Sequence, residues 1–198
     1  MKESKVILCT GGIGSGKSHV VRAFSAMGIP SYDCDSAAKR LYDTDPDLIE
    51  RIAEIAGKDV MSGGKIDRAA LAARIFSDAE LLSRIEGVVH PAVIRDFENW
   101  RNASGSDVVL VESAIMLQKP IFNGLPDFVL MVTCPVEERI ERVSARDGLS
   151  RQKVLERMEA QEEHPEMADF IIETNDRQAI VPAVIEIIQK LKNGKDRS

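Results

Sequence analysis

The segment from Thr10 to Ser18, TGGIGSGKS, has the residue types and the spacing of a phosphate-binding loop. Gly11, Gly16, Lys17 and Ser18 occupy the fixed positions of the pattern G-x-x-x-x-G-K-[ST]. In such a loop the backbone N–H groups surround the phosphates, the lysine reaches the β- and γ-phosphates, and the hydroxyl coordinates Mg²⁺. The motif therefore predicts that Lys17 binds a nucleoside triphosphate and that Ser18 binds the metal ion.

The other glycines of this segment have a steric reason. Gly12, Gly14 and Gly16 let the backbone approach a triphosphate closely, which a residue with a Cβ does not. The alternative is a glycine-rich turn with an incidental lysine. The flanking sequence favours the phosphate-binding loop, because residues 6–8 predict a buried strand and the apolar spacing over 17–28 predicts a helix. The start of that helix would add the positive end of its dipole.

Five apolar segments predict strands, and helical patterns lie between them. The segments are 4–10, 29–35, 107–114, 127–135 and 169–175. Strands that alternate with helices form a mostly parallel sheet that is covered on both faces. We therefore predict an α/β fold, a three-layer sandwich around a five-stranded parallel sheet.

Two insertions interrupt this predicted core. Residues 36–106 read almost wholly as helix, which predicts a helical subdomain beside the sheet. Within it, MSGGK at 61–65 predicts a turn before a helix that Asp67 caps. Residues 144–165 form a second, charged insertion. The predicted core then consists of 1–35, 107–143 and 166–198.

The composition limits the classes of function. A chain of 198 residues with 44% hydrophobic and 29% charged residues predicts one substantial core with insertions. The net charge of −6 argues against general nucleic-acid binding, so any polyanionic substrate must meet local positive charge. The N-terminus lacks a secretory apolar region, and no apolar run reaches the length of a membrane span. We expect a cytoplasmic protein with no membrane partner.

The three cysteines, Cys9, Cys34 and Cys134, each lie at the end of a predicted strand. They cannot all pair, and their spacing is not that of a metal site. We expect reduced side chains that pack in the interior rather than a disulfide.

Two aspartates, Asp33 and Asp35, lie where the second predicted strand ends. In an extended stretch their side chains point the same way, beside the crevice at the carboxyl edge of the sheet. One would orient Mg²⁺ through water while the other accepts a hydroxyl proton. The alternative for either residue is that it caps the following helix, a role that Ser36 would also suit.

Three arginines, Arg139, Arg142 and Arg146, recur at spacings of three and four and therefore share a helical face. Guanidinium groups directed at one place suit phosphate recognition, and we favour Arg142 and Arg146 for the site. The competing interpretation is a surface helix with ion pairs such as Glu138 with Arg142. The helix leads into the charged insertion 144–165, which is typical of the mobile lid of small-molecule kinases.

Two further residues are ambiguous from the sequence. Glu112 ends the third predicted strand, where an acidic residue lies near the metal in many nucleotide-binding sheets, but a surface-facing glutamate fits equally well. His90 precedes Pro91, and a lone histidine in such a position is usually a structural hydrogen-bonding residue.

Taken together, these residues resemble the bacterial dephospho-CoA kinases. The segments TGGIGSGKS, D-x-D, IDRAALAARIF, VVHP, ESAIML, CPVEERIERVSARDGLS and ADFIIETN occur in the order and spacing of that family, from Thr10 to Asn175. The resemblance implies a P-loop NTPase-type sandwich with a five-stranded core, a helical CoA-binding domain and a lid. It also implies transfer of the γ-phosphate of ATP to the ribose 3′-hydroxyl of dephospho-CoA, the final step of coenzyme A synthesis.

The resemblance also implies roles for residues at the nucleotide. The ATP-binding positions are Gly14, Ser15, Gly16, Lys17, Ser18 and His19. Arg146 matches a lid arginine over the phosphates, and Asn175 matches a contact near the adenine. His19 is a departure, because family members often have threonine there.

The acceptor side of the site is implied in the same way. Asp35 matches the base that faces the ribose hydroxyl, with Asp33 near the metal, and His90 matches a residue of the acceptor pocket. Apart from the resemblance, Lys39 and Arg40 of the helical insertion are available for charge and polar contacts to a long anionic acceptor. A second departure is Gln118, which stands at the end of a segment that closes with an acid in the family, D-x-P-L-L-F-E.

Two other functions remain open from the sequence. One is another small-molecule kinase with the same sheet, such as a nucleoside monophosphate or shikimate kinase, although the long helical insertion that contains VVHP argues against it. The other is a nucleotide-dependent switch or motor without a phosphoryl acceptor. The chain has no N-K-x-D tetrapeptide to recognise guanine, which weakens a GTPase.

Overall fold

The computed structural model of the chain describes residues 4–76, 78–175 and 179–193. The described residues divide into two compact units. One lies within Met1–Tyr32 and Ser106–Ser198 and is called the sheet unit below; the other lies within Asp33–Gly105 and is called the helical unit. The three-part functional division, with 144–165 as a lid, stays a prediction.

The secondary structure follows the alternation expected from the sequence. The strands are β1 (Lys5–Thr10), β2 (Ser31–Asp33), β3 (Met61–Ser62), β4 (Lys65–Ile66), β5 (Val108–Glu112), β6 (Phe128–Thr133) and β7 (Phe170–Glu173). The helices are α1 (Lys17–Ala26), α2 (Cys34–Thr44), α3 (Pro46–Ala56), α4 (Arg68–Ile75), α5 (Ala79–Ser104), α6 (Val136–Asp147), α7 (Arg151–Glu159) and α8 (Val181–Asn193). Short 3₁₀ turns occur at Lys58–Val60, Met116–Gln118, Pro120–Phe122 and Pro165–Met167.

The sheet unit is built on five strands in the order β2-β5-β1-β6-β7. The pairs β1–β5, β1–β6 and β6–β7 are parallel, and Ile7 of β1 lies opposite Leu110 on one side and Phe128 on the other. The central strand β1 is almost continuously buried, as expected for a strand that is covered on both faces. The predicted α/β fold with a five-stranded parallel sheet is confirmed.

One face of this sheet is covered by α1 and α8. Alternate residues of the strands, such as Ile7 and Leu130, pack against Phe24 of α1 and Val184 of α8 in one core cluster. The alternation follows from the two-residue period of a strand. Packing against this cluster fixes α1, and therefore fixes the loop that connects β1 to α1.

Each helix of the helical unit begins at an aspartate. The side chains of Asp33, Asp45, Asp67 and Asp78 accept backbone N–H groups at the starts of α2, α3, α4 and α5. This is the usual role of aspartate at an N-cap. The expected cap at Asp67 is confirmed. Ser36 does not cap α2, because the strand ends at Asp33 and the Ser36 hydroxyl donates to that carboxylate instead.

The helical unit is not wholly helical. Strands β3 and β4 form a small antiparallel hairpin, and the two glycines of MSGGK, Gly63 and Gly64, make its turn with positive φ. The turn was expected, but the two-residue strands beside it were not, because they are too short to produce an alternating pattern.

The charged insertion 144–165 contains a small apolar core. Val154 of α7 is fully buried and packs with Ile140 and Val143 of α6, and Ile13 of the loop after β1 lies against this cluster. The charged insertion therefore includes packed residues of its own, and its assignment as a mobile lid stays a prediction. A few apolar residues in a charged stretch are enough to attach α7 to α6.

Truncation of Val154 tests this attachment. We expect Val154→Ala to lower the free energy of unfolding by about 2 kcal/mol, because buried apolar groups are lost and the neighbouring side chains do not fully fill the cavity that remains. The matched control is Val136→Ala on α6, whose side chain is about half exposed and which should change stability by less than about 0.5 kcal/mol. Equal effects of the two variants in urea unfolding would contradict a packed α6–α7 cluster.

Candidate active site

The loop Gly11–Ser18, called the phosphate loop below, connects the end of β1 to the start of α1. Helix α1 begins after Gly16, which has a left-handed conformation (φ 90°), and no side chain caps it. Among the described residues, no acceptor takes the backbone N–H of Gly14, Gly16 or Ser18. Uncapped N–H groups at a helix N-terminus form an anion site. The predicted order of strand, loop and helix is confirmed.

Lys17 is held against the first turn of the phosphate loop. Its Nζ donates to the carbonyl oxygens of Gly11 at 2.8 Å and Gly12 at 3.3 Å. The half-buried ammonium therefore lies at the loop itself rather than in open solvent. This is the position from which a lysine can neutralise charge on phosphates bound to the loop N–H groups.

Ser18 and Glu112 meet at the edge of the loop. The Ser18 hydroxyl donates to Oε1 of Glu112 at 3.2 Å, and Glu112 is the last residue of β5. Glu112 therefore faces the phosphate loop, which favours the interpretation that it lies near the metal over a surface-facing glutamate. A hydroxyl and a carboxylate are hard oxygen ligands of the kind that Mg²⁺ takes.

The glycines of the loop are also required by the packing of the protein. A Cβ on Gly11, at φ 144°, would lie 2.2 Å from the carbonyl oxygen of Val132. A Cβ on Gly14, at φ 76°, would lie 2.8 Å from the carbonyl oxygen of Arg139. These contacts exist without any nucleotide. The steric reason predicted from the sequence, close approach to phosphate, is therefore accompanied by a second one, close approach of β6 and α6.

The three arginines of α6 have different partners. Arg139 is buried, with Nε donating to the Ile13 carbonyl at 2.9 Å and Nη2 lying 2.9 Å from Oε1 of Glu163. Arg146, in contrast, is largely exposed and makes a bidentate ion pair with its neighbour Asp147. Hydrogen bonds from Arg146 hold the pKa of the Asp147 carboxyl below its usual value.

Arg142 lies between these two and contacts the end of β7. Its Nη1 donates to Oγ1 of Thr174 at 2.9 Å, and its Nη2 to Oε2 of Glu138 at 3.0 Å. The ion pair with Glu138 that the competing interpretation predicted is therefore present. The three guanidiniums thus have different partners in this structure, and the binding roles predicted for Arg142 and Arg146 stay predictions.

The insertion 144–165 also reaches the phosphate loop. Oε1 of Gln161 accepts the backbone N–H of Ile13 at 2.6 Å. Gln118 donates from Nε2 to the carbonyl of Glu162 at 2.8 Å, so the residue that departs from the family pattern contacts the insertion. Sequence reasoning missed Gln161 and Thr174, and did not favour Arg139 for the site. Nothing in the types or spacing of Gln161 and Thr174 indicates a contact with the loop, whereas Arg139 belongs to the predicted row of arginines.

The predicted acceptor residues lie in the helical unit. Asp33 caps α2, with Oδ1 accepting the N–H of Asp35 at 2.9 Å and of Ser36 at 3.1 Å, and Oδ2 accepting the Ser36 hydroxyl at 2.6 Å. Asp35 and Lys39 are exposed on α2. Their predicted roles stay predictions.

The positions of four other predicted residues are as follows. Arg40 pairs with Asp96 of α5, and the half-buried His90 lies within α5 immediately before Pro91. In the sheet unit, Asn175 donates from Nδ2 to Oε1 of Glu173 at 2.9 Å. His19 is exposed on α1. The binding roles predicted for these residues are not tested by these contacts.

The cysteines are free, as expected. Burial raises the pKa of the Cys9 thiol, and the charge of Glu112 raises it further. Burial also raises the pKa of Cys134, whose sulfur accepts a hydrogen bond from Arg142. A protonated, buried thiol is unreactive, which agrees with a packing role. Cys34 differs from the prediction in position, because it begins α2 instead of ending a strand.

In the part of the chain that the structure describes, no group of three or more His, Cys, Asp and Glu residues could by itself hold a metal ion. A metal at the phosphate loop would therefore need ligands from the nucleotide as well. None of the helices in these residues is long and apolar enough to cross a membrane.

The sheet order and the phosphate loop define a P-loop protein of the kinase class. The shikimate kinase of Acinetobacter baumannii has the same fold, with a TM-score of 0.54 at 18% identity over 99% of this chain and 97% of that one. A solved structure of the dephospho-CoA kinase of Campylobacter jejuni is more similar, with a TM-score of 0.67 at 25% identity over 96% and 98% of the two chains.

Sequence comparison identifies the family. Residues 5–179 match the family model described as dephospho-CoA kinase. The chain is 40% identical to the dephospho-CoA kinase of Porphyromonas gingivalis over 92% of both chains, and 34% identical to that of Thermus thermophilus over 98% and 95%. The chain belongs to the dephospho-CoA kinase family, and the predicted resemblance and the predicted class of enzyme, a phosphotransferase, are confirmed.

A methyl group at Gly11 tests the packing of the phosphate loop. We expect Gly11→Ala to destabilise the protein by about 3 kcal/mol or more, because the Cβ meets a backbone carbonyl and the φ is unfavourable. The matched control is Gly124→Ala, which also has a positive φ (78°) but no atom within 4 Å of the added Cβ, and which should cost about 1–2 kcal/mol. Thermal unfolding that ranks the two variants equally would contradict the steric explanation.

Proposed function

We propose that this chain transfers the γ-phosphate of ATP to the ribose 3′-hydroxyl of dephospho-CoA, which produces coenzyme A and ADP. The observation that carries the proposal is the phosphate loop, in which Lys17 donates to the Gly11 and Gly12 carbonyls and no side chain caps the start of α1. The dephospho-CoA kinase family model matches residues 5–179 of the same chain. The proposal includes a cytoplasmic location.

The nucleotide would be held mainly by the sheet unit. Within the segment Gly14–His19, the phosphates would accept the N–H groups of Gly14, Gly16 and Ser18, because those of Ser15 and His19 already donate to Gly12 and Gly16. The Lys17 ammonium would leave the Gly11 and Gly12 carbonyls to contact the β- and γ-phosphates. Phosphoryl transfer requires little covalent chemistry from the protein, so positioning and charge supply most of the rate. Asn175 is proposed to complete the nucleotide site, while Arg142, predicted for the same site, is engaged by Thr174 and Glu138.

The reaction is an in-line displacement at phosphorus. The ribose 3′-oxygen forms a bond to the γ-phosphorus while the bond from that phosphorus to the β–γ bridging oxygen breaks, and the hydroxyl proton passes to a carboxylate. We propose Asp35 as this base. It is exposed, and no described residue donates a hydrogen bond to its side chain, whereas three donors already occupy the carboxylate of Asp33.

The residues at the loop fit a magnesium ion. Ser18 would coordinate it directly, Glu112 would act from the neighbouring position, and the nucleotide would supply further oxygens. Bound there, Mg²⁺ would neutralise charge on the β- and γ-phosphates. Asp33 is the other predicted metal residue, and it would act through water because its oxygens already accept hydrogen bonds from the start of α2.

Arg146 is proposed to act once the insertion 144–165 closes over the nucleotide. Its ion pair with Asp147 is exposed, and such pairs contribute little to stability. The guanidinium can therefore exchange Asp147 for a phosphate at small cost. His90, Lys39 and Arg40 are proposed to contact the acceptor.

An acceptor comparison tests the proposed function directly. The protein is incubated with ATP, Mg²⁺ and, separately, dephospho-CoA, AMP, shikimate or water, and the products are identified by mass. We expect dephospho-CoA to have the highest kcat/KM, because binding of its pantetheine arm helps to orient the ribose hydroxyl. A better reaction with AMP or shikimate would contradict the proposed acceptor, and full turnover in water alone would contradict a kinase.

Removal of the Lys17 ammonium should lower the rate of phosphoryl transfer without changing the stability of the fold. We expect Lys17→Ala to lower kcat by about 10² or more, because it removes positive charge where the transition state spreads negative charge. Lys190→Ala removes a lysine that pairs with Glu186 on α8 and should leave activity unchanged. Near-normal turnover of Lys17→Ala, measured beside an unchanged unfolding transition, would contradict the assignment of the phosphate loop.

The two aspartates should respond differently to amide substitution. We expect Asp35→Asn to keep ATP binding and to lose about 10² to 10⁴ in kcat, because an amide cannot take the hydroxyl proton. Asp33→Asn should remain folded, since asparagine also caps helices, and should change the Mg²⁺ dependence of the rate. Asp45→Asn is the control, because Asp45 caps α3 in the same way. Exchanged phenotypes of Asp33→Asn and Asp35→Asn would reverse the two proposed roles.

A further inference from the structure

Side chains hold two carbonyl groups of the phosphate loop. The carbonyl of Ile13 accepts a hydrogen bond from Nε of Arg139 at 2.9 Å, and the carbonyl of Ser15 accepts one from Oγ1 of Thr174 at 2.6 Å. Both donors are buried residues. Neither has a role in the phosphate-binding motif itself.

The planarity of the peptide bond gives these two contacts a consequence. The described chain has no cis peptide bonds, so the C=O of one residue and the N–H of the next point in opposite directions. With the Ile13 carbonyl turned to Arg139 and the Ser15 carbonyl turned to Thr174, the N–H groups of Gly14 and Gly16 point away from those side chains. These are two of the N–H groups that have no acceptor among the described residues.

The direction of the Thr174 hydroxyl is itself determined by Arg142. A hydroxyl has one proton, and Oγ1 of Thr174 already accepts a hydrogen bond from Nη1 of Arg142 at 2.9 Å. The Thr174 proton is therefore available for the Ser15 carbonyl. Arg142 is fixed in turn by its ion pair with Glu138. A chain of three side chains thus ends at a single carbonyl of the loop.

The peptide groups on both sides of Ile13 are constrained. Arg139 donates a hydrogen bond to the Ile13 carbonyl, and Gln161 accepts one from the Ile13 N–H. Glu163 lies 2.9 Å from the guanidinium of Arg139. The glycine that follows Ile13 would otherwise let this peptide plane rotate, because glycine is permitted on both sides of the φ map. A rotated peptide would present a carbonyl oxygen to a bound phosphate in place of an N–H donor.

We propose that Arg139 and Thr174, with Arg142 behind Thr174, are positioning residues of the nucleotide site. They hold the Ile13 and Ser15 carbonyls away from the bound phosphates, so that the N–H groups of Gly14 and Gly16 are preorganised to donate to them. The inference rests on the proposed function only in that the phosphate loop binds ATP. Preorganised donors of this kind are costly to misdirect.

The first test removes the hydroxyl of Thr174. We expect Thr174→Val to weaken ADP binding about tenfold in calorimetric titration, as the loss of one well-placed hydrogen bond implies. Thr174→Ser keeps the hydroxyl and should bind ADP within about twofold of the unchanged protein. Thr44→Val is the matched control, because the Thr44 hydroxyl also donates to a backbone carbonyl, that of Arg40 at 3.0 Å, and lies in the other unit.

The second test uses Arg139. A lysine at this position keeps the charge but has no planar fork with which to hold both the Ile13 carbonyl and Glu163. We expect Arg139→Lys to raise the KM for ATP about tenfold and to leave the KM for the acceptor unchanged. The control is Arg151→Lys, which alters an exposed arginine that pairs with Glu137.

The outcomes separate positioning from stability. Thr174→Val and Arg139→Lys that bind ADP normally, with only a lower unfolding temperature, would overturn the inference, as would equal loss of binding in Thr174→Ser and Thr174→Val. ADP binding does not involve the acceptor. A protein that binds ADP but does not phosphorylate dephospho-CoA would contradict the proposed function, and the same ADP titrations would still decide the inference.

Discussion

A planar trans peptide cannot direct its carbonyl and the following N–H to the same side, and the nucleotide site depends on this constraint. An anion site made of backbone N–H groups requires that the intervening carbonyls be held elsewhere. In the phosphate loop, Lys17 donates hydrogen bonds to the carbonyls of Gly11 and Gly12. Arg139 donates to the carbonyl of Ile13, and Thr174 donates to that of Ser15. The loop is therefore ordered by its surroundings as well as by its glycines.

The sheet order explains how these surroundings reach one loop. Strand β1 lies at the centre, with β5 and β6 beside it and β7 next to β6. The carboxyl ends of parallel strands meet at the same edge of a sheet, which is where ligands bind in such folds. Glu112 ends β5, Arg139 lies on the helix after β6, and Thr174 follows β7. Three elements far apart in sequence thus contribute to the loop after β1.

The charge of the site is local. The protein carries a net charge of −6, and yet its substrate ATP is a polyanion that needs positive charge. The buried Arg139 does not supply this charge, because it is already neutralised by Glu163. The positive potential at the phosphate loop therefore comes mainly from Lys17 and from the backbone dipoles at the start of α1. This makes the orientation of each peptide in the loop more important than it would be in a site rich in unpaired arginines.

Much of the fold and the centre of the site could be predicted from the sequence. The phosphate-loop motif has fixed spacing, and the strands are apolar runs bounded by turns, so both are local signals. The partners of Arg139 and Thr174 could not be predicted, because periodicity indicates the face on which a side chain lies and not the residue it meets. The sequence leaves the cap of α2 open among Asp33, Asp35 and Ser36 for a related reason, because the answer depends on where β2 ends to within two residues.

The packed cluster around Val154 shows another limit of sequence reasoning. Its few apolar residues are spread over α6, α7 and the loop after β1, and the charged residues between them dominate the local composition. Contacts of this kind arise only when helices that are separate in sequence come together. Of the proposed acceptor residues, Asp35 is predicted from its position after the second strand and Lys39 from its charge in the helical insertion, whereas His90 is identified only by resemblance to the family.

The amide resonances of the phosphate loop offer the most direct measurement of its preorganisation. In ¹H–¹⁵N spectra recorded during titration with ADP and Mg²⁺, the amide protons of Gly14, Gly16 and Ser18 should move downfield as they begin to donate to phosphate oxygens. The carbonyl carbon shifts of Ile13 and Ser15 should stay nearly constant, because their bonds to Arg139 and Thr174 persist. Saturated binding that leaves the Gly14 and Gly16 amide protons unchanged, or that shifts both carbonyls strongly, would contradict a loop whose donors are already in place.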